Sequence, residues 1–177
     1  MENPSPIAIV SIDPRGEFPF APADYLFVLL YSITALRDHR LEAALKPSGL
    51  SLARYRALLV ISQFEPCTMT ELADFTLVER TTLTRTVDSL VSEGWVARVS
   101  RAADRRQVIL TLSEAGRGLI AKAGAMVAAE NRDILEGISD KDQRALVRLC
   151  QDLASNLALD PPSRERVLTF RRPARRA

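Results

Sequence analysis

Apolar residues recur at three- and four-residue spacing over most of the chain, and the period drops to two in one stretch past its middle. Over 23–46, Leu26, Leu29, Leu30, Ile33, Leu36, Leu41 and Leu45 fall at helical intervals and stop at Pro47, Ser48 and Gly49, which predicts a first long helix. A second helix is predicted over 52–63, with Leu58, Leu59 and Ile61 apolar and Pro66 beyond its end. Thr68 with Glu71 three positions on is a capping box that opens a short helix through Leu72, Ala73 and Phe75. After a turn at 76–78, a helix over 79–93 carries the stripe Leu83, Val87, Leu90 and Val91 and ends at Gly94, a residue suited to a left-handed cap.

Past Gly94 the pattern becomes that of strands. Residues 95–99 read as one strand, 101–106 as a polar turn and 107–112 as a second strand rich in β-branched residues, giving a hairpin with a charged tip. Ser113 caps a long helix to about 136, through Leu119, Ile120, Ala123, Met126, Val127, Ile134 and Leu135, closed by Gly137. Ser139 caps a last helix with Leu146, Leu149, Cys150, Leu153 and Leu157 on one face, where Cys150 reads as core. Pro4, Pro6, Pro14, Pro19 and Pro22 predict an extended arm ahead of the first helix, and Pro161 and Pro162 end the last one.

This order predicts a mainly α fold with a small β-hairpin wing, a winged helix-turn-helix flanked by N- and C-terminal dimerisation helices. The chain then divides into a proline-rich arm (1–22), a dimerisation helix (23–50), the winged helix-turn-helix (51–112), further dimerisation helices (113–160) and a basic, disordered tail (161–177). The end helices carry continuous apolar stripes that so small a central unit cannot cover, and a second copy of the chain would bury them.

Composition narrows the class. With 47% hydrophobic and 26% charged residues over 177 positions the chain is globular. Its longest uncharged apolar run, 25–36, is 12 residues, against the roughly 20 that a membrane span requires. Glu2, Asp13 and Glu17 stand where a secretory signal would carry positive charge, so a cytoplasmic protein without a membrane partner is expected. Cys67, Cys150 and His39 are the whole supply of soft ligands and form no metal-binding spacing, so neither metal nor cofactor is expected. His39, flanked by Asp38 and Arg40, has no nucleophile motif beside it and no glycine-rich phosphate loop exists, so an enzyme is not expected.

The net charge of +2 is unevenly placed: 80–106 carries +3, 164–176 carries +5 and the remainder −6. Arginine-rich segments on an otherwise acidic chain point to a polyanionic partner, although arginines also serve simply to solvate a surface. With Leu83, Val87, Leu90 and Val91 facing a core, Thr81, Thr82, Arg85, Asp88, Ser89 and Ser92 face outward at about 100° per residue. Small hydroxyls and one arginine suit entry into a DNA groove, where Arg85 can chelate a guanine edge or a phosphate. An arginine at the hairpin tip suits a narrow minor groove, with Asp104 orienting a neighbouring arginine.

The run Thr70-Glu-Leu-Ala73, then Val78-Glu-Arg-Thr-Thr-Leu-Thr-Arg-Thr-Val-Asp-Ser-Leu90, Glu93-Gly-Trp-Val96, Asp104-Arg-Arg106 and Leu110-Thr-Leu-Ser-Glu-Ala-Gly116 resembles the MarR family of regulators over about 23–158. The resemblance implies a homodimer that reads a pseudo-palindromic operator in duplex DNA. It places Thr70, Arg80, Thr81, Thr82, Thr84 and Arg85 at the helix-turn-helix and Asp104, Arg105 and Arg106 on the wing as DNA-binding residues. It also implies a small aromatic or phenolic anionic effector, for which His39, Arg40 and Arg54 are the candidate partners. Two alternatives stay open: a thiol-based redox sensor using Cys67, and a winged-helix protein-interaction module that no longer binds DNA.

Overall fold

A computed structural model of the chain describes residues 22–76, 80–101, 104–158 and 165; the side chains of 22, 23, 80, 100, 101 and 104–107 fall outside that description. The proline-rich arm and all but one residue of the basic tail therefore lie outside the described residues. The chain forms two units, Met1–Ala43 and Ala44–Ala177.

The described part of the first unit belongs to helix α1 (Pro22–Leu45), which exposes Phe27, Tyr31, Ile33 and Leu36. The second unit continues through a short 3-10 helix (Lys46–Ser48) into α2 (Leu52–Phe64), whose N-cap Ser51 accepts the Arg54 amide at 3.3 Å. Alpha-helix α2 is the centre of the core: Leu52, Tyr55, Ala57, Leu58, Val60, Ile61 and Phe64 are all buried. It packs against α3 (Met69–Thr76), α4 (Arg80–Ser92), α5 (Glu114–Ile134) and strand β3 (Asp104–Leu112). Leu72, Leu83, Val87, Leu90, Leu110, Leu112, Ala123 and Val127 are buried in the same unit, as are Leu45, Leu50, Cys67 and Val96. Phe64 stacks on Phe75 with ring centroids 4.0 Å apart, which pins α3 to the end of α2.

The capping box forms in full. Glu71 accepts the Thr68 amide and hydroxyl, both at 2.8 Å, and its own amide donates to Thr68 Oγ1 at 3.2 Å. Ser113 and Ser139 cap α5 and α6 (Asp140–Leu157) as their positions predict, accepting the amides of Gly116 and Asp142.

The sheet differs from expectation in two ways. It has three strands in the order β1-β3-β2, because β1 (Cys67–Thr68) pairs antiparallel with β3 at Leu110 and Ile109. Strand β2 (Val96–Arg101) also pairs with β3, regularly from Val96 opposite Leu112 to Ser100 opposite Val108; the register then shifts, and Arg101 lies opposite Asp104. The described part of the polar segment expected to turn over 101–106 is thus strand: the backbone stays extended past the regular ladder and the shift at Ser100–Arg101, beyond the last core contact, where side-chain polarity no longer reports pairing. Cys67 is fully buried in β1, and Cys150, expected as core, is exposed. No residue of α6 is buried, and Leu146, Val147, Leu149 and Leu157 share its exposure. Among the described residues no helix is long and apolar enough to cross a membrane.

Candidate nucleic-acid interface

Helix α4 is set by its buried side. Leu83, Val87 and Leu90 are at most 2% exposed, and this turns Thr81, Thr82, Thr84 and Arg85 outward, where all four are exposed. The first two turns therefore present three hydroxyls and one guanidinium, short groups that can reach base edges or phosphates. Thr70 is exposed on α3. Arg80 opens α4, and Asp104, Arg105 and Arg106 lie on the β3 backbone, but their side chains are outside the described residues.

The last turns of α4 serve another purpose. Arg98 on β2 donates to Asp88 Oδ1 at 2.5 Å, which ties the wing to the helix. The Ser89 hydroxyl donates to Glu93 Oε1 at 3.2 Å and accepts from the Arg54 guanidinium, which pairs with Glu93 at 2.9 Å. Asp88 and Ser89, placed on the outward face by the helical wheel, are thus held by the protein itself. The Ser89–Glu93 spacing of one helical turn signals half of this arrangement in sequence; Arg54, 35 positions away from Ser89, gives no such signal.

Gly94 ends the helix with a left-handed φ of +73°, and the wing is clamped at its base. The Ser113 amide donates to the Trp95 carbonyl at 3.0 Å, and the Ser113 hydroxyl donates to the Gly94 carbonyl at 2.6 Å. Behind this clamp Glu65 joins three elements: it accepts the Leu112 amide at 2.9 Å and a bidentate pair from Arg117 at 2.7 and 2.9 Å. Hydrogen bonding to Glu65, and then the attraction of its charge, holds the Arg117 guanidinium above the usual arginine range.

Of the candidate effector residues, His39 and Arg40 are exposed on α1, whereas Arg54 is engaged with Ser89 and Glu93 and lies 6.0 Å from the centroid of the Trp95 ring.

A helix held from behind with its hydroxyl and arginine face outward, following a short capped helix and leading into a hairpin, places the chain among the winged helix-turn-helix, DNA-binding regulators of transcription. Comparison with known proteins carries this further. A model described as MarR family matches residues 48–107. The HTH-type transcriptional repressor Rv2887 of Mycobacterium tuberculosis is 31% identical over 136 residues, covering 77% of this chain and 96% of the relative. The solved structure of Rv2887 in complex with p-aminosalicylic acid is similar with a TM-score of 0.62 at 30% identity, covering 75% of this chain and 98% of that one. CouR from Rhodococcus jostii RHA1, bound to p-coumaroyl-CoA, is similar with a TM-score of 0.67 at 26% identity over 78% of this chain and 95% of CouR. The chain belongs to the MarR family of transcriptional regulators.

Proposed function

We propose that two copies of the chain repress transcription by occupying a pseudo-palindromic operator, and release it when a small aromatic or phenolic anion binds. The observation that carries the reading is the outward face of α4, where Thr81, Thr82, Thr84 and Arg85 stand exposed on a helix whose opposite side is locked into the core. Each copy inserts α4 into the major groove and lays its wing, with Asp104, Arg105 and Arg106, along the adjacent minor groove. The chain acts in this as a binder and not as a catalyst.

The second copy is supported by apolar surface that each unit leaves exposed: Phe27, Tyr31 and Ile33 at 53–69% on α1, and Val147, Leu149 and Leu157 at 52–68% on α6. Two linked half-sites also gain affinity through effective concentration, which one winged unit lacks. The aromatic effector is supported by the p-aminosalicylic acid on Rv2887 and the p-coumaroyl-CoA on CouR, both built on phenolic rings. An effector that favours a spacing of the two recognition helices away from the groove repeat of about 34 Å empties the operator. The redox alternative is disfavoured by Cys67, whose side chain is fully buried and meets peroxide only through local opening.

Fluorescence anisotropy with a labelled duplex from the protein's own promoter region tests the reading. A saturable, salt-sensitive complex at submicromolar protein supports it. No such complex refutes it in favour of an interaction module.

A further inference from the structure

We infer that Arg54 is a positioning residue that sets the angle at which the recognition helix enters the groove; the inference rests on the DNA-reading function proposed above. Arg54 stands in the first turn of α2, where Ser51 Oγ accepts its amide at 3.3 Å, so its backbone is fixed by the helix cap. Its guanidinium bridges to the far end of α4. There it donates to the Ser89 hydroxyl, pairs with Glu93 at 2.9 Å and lies 6.0 Å from the centroid of Trp95. One planar cation therefore spans the last turn of the helix and the first residue after its Gly94 cap. A cation here also faces the negative end of the α4 dipole.

The consequence is a matter of leverage. Arg85 precedes Glu93 by eight residues. At about 1.5 Å per residue that is roughly 12 Å along the helix, so a tilt of about 5° at the gripped end moves the Arg85 backbone by about 1 Å. A bidentate contact to a base edge tolerates less than that, whereas a contact to a phosphate is more forgiving. Loss of the Arg54 grip should therefore degrade sequence preference while leaving general attraction to DNA intact. With both Ser89 and Glu93 engaged and only 29% of its side chain exposed, Arg54 is poorly placed to serve as a phosphate contact itself.

The experiment uses the full chain with Arg54→Lys, Arg54→Met, Glu93→Gln and the Arg54→Met/Glu93→Gln double variant. Each is titrated against a duplex selected by the wild-type protein from a randomised library, and against a random-sequence duplex of equal length, over a salt series. Melting temperature and acrylamide quenching of Trp95, the sole tryptophan, are read in parallel. Both Arg54 variants should lose at least about fivefold in affinity for the selected duplex, and the double variant should lose no more than the worse single one. Binding to the random duplex should change by less than about twofold, with its salt slope unaltered. Quenching of Trp95 should rise in both. Equal loss on the two duplexes with a shallower salt slope overturns the inference, since Arg54 then contacts phosphate. A lowered melting temperature with unchanged sequence preference overturns it as well, leaving a purely structural residue. A wild-type protein that selects no sequence overturns the DNA-reading function itself, before any variant is made.

Discussion

Replacing Gly116 by alanine should destabilise the protein, although glycine in a helix is ordinarily a weakness. A Cβ at Gly116 would lie 2.1 Å from the Trp95 carbonyl oxygen and 3.0 Å from its carbon. Both are backbone atoms, and that oxygen accepts the Ser113 amide at 3.0 Å, so relief requires α5 and the base of the wing to part by about 1 Å. Overpacking of this kind costs about 1–3 kcal/mol, and loss of the Ser113 hydrogen bond about 1 kcal/mol more. Helix propensity returns up to about 1 kcal/mol. The net expectation is a loss of about 1–3 kcal/mol. Gly118 and Gly124 lie in the same helix with no atom within 4 Å of a built Cβ, so alanine there should stabilise by about 0.5–1 kcal/mol. Urea unfolding at a fixed protein concentration reads all three: the midpoint should fall for Gly116→Ala and rise for the other two, with the slope unchanged. A Gly116→Ala variant as stable as the wild type would refute the close approach of α5 to the wing.

Arg85→Ala should weaken binding to the preferred duplex by about 1–3 kcal/mol and relax its preference at one base position, with little change on random duplex. Deleting 164–177 should instead lower affinity for every sequence and shallow the salt slope; equal behaviour of these two variants in a salt series would contradict the division of labour. A thiol reagent should modify Cys150 in the dilute native protein and Cys67 only in denaturant, and Cys150 should become protected as concentration rises if α6 lies in a dimer interface. Glu65→Ala should lower the melting temperature, by less than Gly116→Ala does, because it frees the Leu112 amide and Arg117 together without forcing the backbone apart.

The helices were readable because each carries its own punctuation. Ser113, Ser139 and the Thr68–Glu71 pair announce starts, Gly94 announces an end, and the stripe Leu83, Val87 and Leu90 settles which face of α4 turns inward. These signals are local, within four residues. What was not readable is long-range. Strand β1 is two residues long and exists only because Leu110 and Ile109 lie beside it, more than 40 positions on. The sequence presents Arg54 as a candidate anion partner, yet its observed partners, Ser89, Glu93 and Trp95, depend on how α2 crosses α4. Periodicity likewise marked the apolar face of α6 without saying that the chain's own fold leaves it uncovered, and so placed Cys150 in a core. Of the interface, Thr81, Thr82, Thr84 and Arg85 stand exposed on α4, while Asp88 and Ser89 prove to be anchors.

The clamp at Gly94, Trp95 and Ser113 makes the hairpin a closed loop whose ends are fixed independently of its length. Residues added equally to the two strands just beyond Ser100 and Val108, the last regularly paired positions, would lengthen the wing without disturbing the helix behind it. Because successive strand residues point to opposite faces, one residue added to each strand would reverse the facing of those beyond it, and two would restore it. The length of the wing is thus adjustable in steps of two residues per strand, which, if the wing lies along DNA as proposed above, makes its far end a natural place to re-engineer operator length while the recognition helix is left untouched.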